Sequence, residues 1–558
     1  MGAYFLTSNP DALDRAIDRM ARKGLGRYVA LDTDGVTLLA FHKRFVDNDD
    51  HILQRDSDFI AGFGAWSYGS RFGNAALPAI WGDLVKGCEV WPAVRGHFTF
   101  VVRLGGALTL VTDKCGIYHG FAGRADGHFY ASSSLFAVAE ALPSLSIGAQ
   151  ECMEYLYTQA TYGGATVFNE VRHLEPGAIY DLRGFEKRTN YYFPARQRVS
   201  VDEYLTAADD WFAGCGDASL KWSCDMSGGY DSRTVGTLME HAGCRFGYNT
   251  NTNPKDPRDH AVAVEVAGAV ARPIELFDRG EEDLSFPQQV ERCFVQLEIC
   301  RDVFAAMETP SFFARKAASF DVVAGGYGGE LLRDKYSRFS SVRGLVETAY
   351  FNAGAHLPPG LKDRYLNALE AKFNARLAEW RPPDMKTGVE MIYYLEKMRF
   401  WGGSRITAFN QFCYRLHPLL DDLLAKYSFG FTLDEKRDAA IQRRIMTAAC
   451  PAMAQVRSSY FDQPLDWREG PPPGGLQKLK MRLKKWKYAA DGWLIAAKNA
   501  SFISPSRSSS FVSAFAPAGY LAGLLGIRFR DVYNLKMQGR YLTLEKTFDH
   551  FRDRISPR

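Results

Sequence analysis

Residues 223–234, SCDMSGGYDSRT, put two adjacent glycines where a short apolar run hands over to a helix-forming one. Backbone N–H groups with no Cβ in the way can close on an anion. A helix starting at such a loop aims the positive end of its dipole at the same point. Gly228 and Gly229 supply the bare backbone, Ser227 and Ser232 add hydroxyl donors, and the helix is expected to start near Asp231. A carboxylate beside phosphate is chemically consistent when Mg²⁺ bridges the two, so Asp231 reads as a metal ligand. A tight turn alone does not require Ser, Asp and Ser together. The pattern GxxxxGK[ST] is absent, so this is not a Walker A loop.

The rest of the chain gives that loop a setting. At 558 residues it is too long for one core, so two or three domains are expected. Up to about residue 195 it is strand-rich. HFTFVVRL (97–104) and ALTLVTD (107–113) read as a hairpin turning at Gly105-Gly106, GHFYASSS (127–134) continues it, and a turn at Glu175-Pro176-Gly177 leads into another strand. From about Val201, apolar pieces of strand length alternate with helical stretches, the pattern of a parallel sheet with covering helices. One of these helices has Asp256 as cap, Pro257 in its first turn, Asp259 near the positive end of the dipole, and 260–271 as body.

After GPPPGG (470–475) comes KLKMRLKKWK (478–487), six basic residues in ten. It suits a solvated helix face or a surface for anionic lipid or an acidic partner. Residues 511–527 are uncharged but broken by Pro517, and predict a buried helical hairpin rather than a membrane span. A formal charge of +4 gives no concentrated basic face, so nucleic acid is not an expected partner. Ten cysteines show no CxxC or zinc-ligand spacing, and the start has no basic segment followed by an apolar run. Reduced thiols and a cytoplasmic location are expected.

SGGYDS (227–232) closely resembles the pyrophosphate loop of the asparagine synthetase-like ATP pyrophosphatases. Other segments match that family in order. VVAGGYGGELLRDKY (322–336) resembles its second signature, a strand followed by a Gly-x-Gly-Ser-Asp-Glu-Leu-like loop and a closing tyrosine, aligned on Gly326, Gly328, Leu332 and Tyr336. YRLHPLLDDLLAKY (414–427) resembles the Arg-x-Pro-(Phe/Leu)-Leu-Asp segment, with Arg415, Pro418, Leu420 and Asp421. RGHFTFVV, LTLVTDKCGIYHGF, YASSSLFAVAEAL and TVFNEVRHLEPGAIYDL resemble the strands of the glutaminase domain of the same enzymes. The likeness covers roughly residues 95–460, and 470–558 match nothing named.

The resemblance implies a mixed α/β and α+β chain. Residues 1–195 would form an Ntn-type αββα sandwich, 200–465 a parallel-sheet PP-loop ATP pyrophosphatase domain, and 470–558 a basic extension. It implies ATP held by Ser227, Gly228, Gly229, Asp231, Ser232, Gly326 and Gly328, with Mg²⁺ on Asp231 and Glu330. Three departures matter. The family's glutaminases use an amino-terminal cysteine; here position 2 is Gly2 and the first cysteine is Cys88, so no glutamine hydrolysis is expected. Tyr327 falls where asparagine synthetases carry Glu, as in β-lactam synthetase, where a tyrosine paired with a carboxylate takes a proton from the amine. A tyrosine that merely lines the adenylate pocket is the alternative. The late-loop lysine is missing from 454–464, which offers Arg457, with Lys426 as another source of positive charge. The expected activity is an AMP- and pyrophosphate-forming amide ligase that joins a carboxylate to an amine. An ammonia-dependent asparagine synthetase and a non-catalytic nucleotide-binding scaffold are the alternatives.

Overall fold

The computed structural model describes residues 1–47, 51–188, 198–215, 217, 219–252, 258–278, 284–302, 309–336, 338–351, 355–459, 464, 519–532 and 534–555. The expectations placed on Asp256, Pro257, 470–475, 478–487 and 511–518 lie outside them.

The first half is built on two antiparallel sheets. Its strands are β1 (Ala3–Thr7), β2 (Tyr28–Thr33), β3 (Val36–Phe41), β4 (Ile52–Arg55), β5 (Asp58–Tyr68), β6 (Arg71–Phe72), β7 (Arg95–Leu104), β8 (Ala107–Thr112), β9 (Phe121–Ala125), β10 (His128–Ser132), β11 (Val171–His173), β12 (Ile179–Asp181) and β13 (Glu186–Lys187). One sheet runs β11-β9-β10-β1-β3-β2 and the other β13-β12-β8-β7-β5-β4, with β6 on β5. Period-two alternation decides which face each residue serves. Tyr4 and Leu6 of β1 meet Phe59, Ala61 and Phe63 of β5 in a core between the sheets. Ala3 and Phe5 point the other way, onto α1 (Leu13–Arg22), α3 (Leu135–Ala141) and α4 (Ala149–Thr158). Ile60 and Phe100 pack outward onto α2 (Leu77–Val85). The result is four layers, helix–sheet–sheet–helix.

The β7–β8 hairpin forms as the sequence predicts, with Leu104 opposite Ala107. The 127–134 strand does not continue it: β10 pairs with β1 and β9 in the other sheet. Likewise, the turn at Glu175-Pro176-Gly177 carries the chain from β11 in one sheet to β12 in the other. Local turn chemistry marks these bends but does not select the partner strand.

The second half holds a parallel sheet in the order β16-β15-β14-β17-β18. Its strands are β14 (Trp222–Asp225), β15 (Gly247–Asn251), β16 (Ile274–Phe277), β17 (Val322–Ala324) and β18 (Tyr414–Leu416). Ahead of it lies α5 (Val201–Phe212), and α6 (Tyr230–His241) and α7 (Arg258–Ala269) cross between its first three strands. From β14 the chain builds outward through β15 and β16, and then returns to add β17 and β18 on β14's other side. The order therefore reverses between β14 and β17, and in open α/β sheets the crevice beyond the strand ends at such a switch point is where ligands bind. Cys224 pairs with Ala324, so the two glycine loops leave the sheet side by side.

The halves share a buried polar seam. Lys43 Nζ donates to the Asn410 carbonyl at 2.7 Å, the Gly96 N–H to Asp421 at 2.6 Å, and Lys114 pairs with Asp422 at 3.1 Å. The described end of the chain is no separate appendage. Leu521, Tyr541, Leu544, Phe548 and Phe551 join the core of α3 and α4, and Arg540 donates to the carbonyls of Leu156 and Tyr157. Of the hairpin expected at 511–527, the described part forms the short helix Tyr520–Leu525, with Leu521 and Leu525 buried. No helix among the described residues is long and apolar enough to cross a membrane.

Candidate active site

The first loop leaves β14 at Asp225 and enters α6 with Gly229 as its cap. Ser227 and Ser232 close it from the inside: their hydroxyls lie 2.6 Å apart, and the Ser227 N–H donates to Ser232 Oγ at 3.1 Å. The Gly228 N–H donates to Asp259 Oδ1 at 2.8 Å, and the Ser459 hydroxyl donates to the same oxygen at 3.3 Å. A carboxylate of the chain itself thus sits at the loop where the sequence places phosphate. Asp259 was expected only to complement the dipole of its own helix. It lies on α7, and no spacing in the sequence links it to Gly228.

The second loop is pressed against the first turn of α6. A Cβ on Gly326 would come within 2.5 Å of the Ser232 nitrogen, and one on Gly329 within 2.6 Å of the Asp231 Cβ. Gly328 takes a φ of +97° with its α-hydrogens over the Leu419 carbonyl. These contacts leave Tyr327 as the one residue of 326–329 with a side chain to present.

Asp231 and Glu330 both reach one guanidinium nitrogen. Arg333 Nη2 lies 2.6 Å from Asp231 Oδ2 and 3.9 Å from Glu330 Oε1. Gln442 donates to Asp231 Oδ1 at 3.0 Å, and Tyr393 and Lys335 hold Glu330. Burial raises the Asp231 carboxyl above its usual range against the pull of Arg333, and the Glu330 charge adds to the rise. At Glu330, Lys335, Tyr393 and Arg333 overcome the effect of burial and keep it low. Among the described residues no group of three or more His, Cys, Asp or Glu side chains could hold a metal. Two carboxylates nevertheless fit Mg²⁺, which commonly takes one or two protein carboxylates and completes its shell with phosphate and water. Arg333 would have to turn away. It was missed although it follows Glu330 by three positions within the quoted motif.

Beyond the loops, at the ends of β14 and β15, opens a cavity of about 290 Å³ that Gly326 and Tyr327 border. Its floor is a half-buried charge cluster. Lys316 Nζ and Arg415 Nη2 each lie 2.6 Å from a different oxygen of Asp225. The two cations overcome burial and hold Asp225 well below the usual carboxylate range, while burial lowers Lys316. Tyr327 stacks on His417 with centroids 4.5 Å apart, and its N–H donates to His417 Nδ1. Burial and then Arg415 keep that imidazole neutral. The Tyr327 hydroxyl has no carboxylate partner among the described residues. A π-helix, Tyr393–Gly402, brings Tyr393 to Glu330 and Trp401 to Tyr327, and the helix after it carries Arg405 to the cavity. Such wide turns recur at functional sites.

Several expected residues lie elsewhere. The Arg457 guanidinium is paired on the surface with Glu265 of α7 at 2.6 Å, not at the cavity. Lys426 is tied to Asp422 at the seam. Asp421 caps the helix Asp422–Gly430. Arg415 stands one position further from Pro418 than the motif has it. Lys316, Arg405, Asp225 and Asn251 were not singled out, since each comes from a different element. In the first half Gly2 packs against the seam, where a Cβ would lie 3.1 Å from Gln411 Cα. Cys88 is exposed, and burial raises the next thiol, Cys115, well above its usual range.

No protein-family profile matches the sequence, and no curated protein does. Among solved structures, glutamine phosphoribosylpyrophosphate amidotransferase from B. subtilis, complexed with ADP and GMP, is similar at 13% identity and a TM-score of 0.24. The match covers 49% of this chain and 65% of that one, less than two thirds of its length. A structure described as the allosteric regulatory enzyme of purine biosynthesis is similar at 9% identity and a TM-score of 0.23, over 58% of this chain and 80% of that one. Likenesses this weak carry no argument about activity.

Proposed function

We propose that the chain is an ATP-dependent amide ligase that releases AMP and pyrophosphate. The observation that carries this reading is the meeting of two glycine loops at a sheet's switch point, with Asp231 and Glu330 turned to one cationic centre between them. The β- and γ-phosphates of ATP would lie on Ser227, Gly228, Gly229 and Ser232 at the start of α6. Asp231 and Glu330 would hold Mg²⁺, whose charge would neutralise the departing pyrophosphate. An acyl substrate in the cavity would attack the α-phosphorus through its carboxylate, and an amine would then displace AMP. Tyr327 walls the cavity beside the reacting centre.

The scaffold reading has one observation in its favour: Arg333 already supplies positive charge to both carboxylates. A pyrophosphate-release assay with ATP, Mg²⁺ and pooled carboxylates, with and without ammonium, separates the two readings. Wild type is expected to release pyrophosphate and Asp231→Asn is not. No release by either protein, with nucleotide still bound, establishes the scaffold. Release that depends on ammonium identifies ammonia as the amine.

Asp259 bears on the same loop. Removing its charge, as in Asp259→Asn, is expected to tighten magnesium pyrophosphate binding roughly fivefold, because a like charge leaves the Gly228 N–H. A titration showing equal or weaker binding would mean that Asp259 does not compete for the loop.

A further inference from the structure

Asp231 and Glu330 come with cations of their own. Arg333 Nη2 lies 2.6 Å from Asp231 Oδ2 and 3.9 Å from Glu330 Oε1, and Lys335 Nζ lies 3.3 Å from that same Glu330 oxygen. Two carboxylates thus stand against two cations, and a divalent ion added to that set would leave an excess of positive charge in a half-buried place. Nucleotide phosphates carry the charge that offsets it. Two buried atoms beside the pair are left over among the described residues: Arg333 Nε has no hydrogen-bond partner, and neither has Gln442 Oε1. Gln442 is fully buried, and its amide nitrogen donates to Asp231 Oδ1 and to the Gly329 carbonyl. An acceptor stranded beside two carboxylates suits a hydrated Mg²⁺, whose waters are donors. A donor stranded on a guanidinium suits phosphate, which arginine forks match in shape. Arg333 follows the turn Gly329–Leu332 in extended conformation, between the buried Leu332 and Tyr336, so its backbone is anchored. Its side chain is 28% exposed and can swing without disturbing the core.

We propose that Arg333 is the resident counter-ion of this pair: it yields Asp231 and Glu330 to Mg²⁺ and crosses to the phosphates of the nucleotide that arrives with the metal. Arg333 and the divalent ion compete for the same carboxylates and then act together on the same ligand. The cation site is therefore weak by itself and strong with nucleotide, since such a coupling acts equally in both directions. Gln442 keeps Asp231 aimed at the site through the exchange. Only the choice of ATP as the nucleotide rests on the ligase reading; the competition for Asp231 and Glu330 does not.

The test is calorimetric titration of the full chain with Mn²⁺ as the probe cation, first alone and then, at saturating Mn²⁺, with α,β-methylene-ATP, which cannot release pyrophosphate. Arg333→Gln is expected to bind Mn²⁺ about tenfold tighter than wild type, and adding Asp231→Asn is expected to abolish the gain. At saturating Mn²⁺ the Arg333→Gln chain is expected to bind the nucleotide about fivefold or more weakly, because the guanidinium–phosphate bonds are gone. Arg333→Met is made alongside as a second neutral replacement with the same expectations, and circular dichroism checks the folding of both. Weaker binding of both ligands, or failure of both variants to fold, would give Arg333 a structural role. Unchanged Mn²⁺ binding would mean no competition, and unchanged nucleotide binding would mean that the guanidinium does not cross. Each of these overturns the proposal. Opposite shifts in the two affinities without pyrophosphate release by wild type would sink the ligase reading and leave the exchange standing. Release by wild type, with Mn²⁺ binding untouched by Arg333→Gln, would do the reverse.

Discussion

Gly326→Ala is expected to destabilise the chain by about 3 kcal/mol, the upper end of ordinary overpacking, and to abolish nucleotide binding. The added methyl would meet the Ser232 nitrogen at 2.5 Å and the Asp231 carbonyl carbon at 2.7 Å. Both are backbone atoms in the first turn of α6, so no rotamer change relieves the contact. Either the helix start or the second loop must move. Moving the first opens the loop at Ser227–Ser232; moving the second carries Tyr327 out of the cavity wall and Glu330 away from Arg333. The control is Gly268→Ala near the end of α7, where an added Cβ meets nothing within 4 Å. Exposed helical glycines lose up to about 1 kcal/mol relative to alanine, so that variant should be unchanged or slightly more stable. Urea midpoints of the two variants measure the contrast. Near-wild-type stability in Gly326→Ala would show that the loops are not in hard contact, and the placement of Asp231 beside Glu330 would fall with it.

What was legible in the sequence followed the range of the interaction. The hairpin at Gly105-Gly106, the helix over 260–271 and the strand–loop–helix at 223–234 are local, and turn and cap chemistry specify them within a few residues. The seating of Asp231 near Glu330 was legible only through motif order, since about a hundred positions separate them. The cavity was not legible. Its floor takes Asp225 from a strand end, Lys316 from a helix and Arg415 from another strand, and no periodicity relates such residues before the sheet assembles. Arg457 misled for the complementary reason. Its position near the late loop suggested a catalytic cation, but once α7 packs there, Glu265 is within reach. The tail at 519–555 gave no sign of its partner because its apolar face is completed by α3 and α4 from the other end of the chain.

The seam histidines should each lower the stability of this protein, and its urea midpoint, as pH falls from 7 to 5. Five histidines are packed along the seam. His97 Nε2 lies 3.2 Å from the His417 backbone nitrogen, His119 Nε2 lies 2.7 Å from the Arg399 carbonyl with His173 against its ring, and His51 contacts the Tyr414 hydroxyl. Burial lowers His97 to about 3 and His119 to about 4, and sets His51, His173 and His417 well below their ordinary 6.5. A group depressed in the fold contributes stability that is complete above its unfolded value and lost as pH falls toward the folded one. These five therefore stop stabilising the fold from about pH 6.5 downward. Buried carboxyls act in the opposite sense: burial raises Asp113 to about 6 and Glu154 to about 7, and it also raises Asp231, Glu396, Asp421 and Glu545, so acid favours their folded forms. Each histidine that takes up its proton only on unfolding adds about 1.4 kcal/mol per pH unit to the slope, and each raised carboxyl takes off a similar amount. His119→Asn is expected to reduce the slope by about one proton even where it lowers stability at pH 7, and that change of slope separates titration from mere loss of packing. An unchanged slope in His119→Asn would mean that His119 is not neutral in the fold. Because His417 lies under Tyr327, the same acid range should empty the cavity of any bound anion as the seam opens.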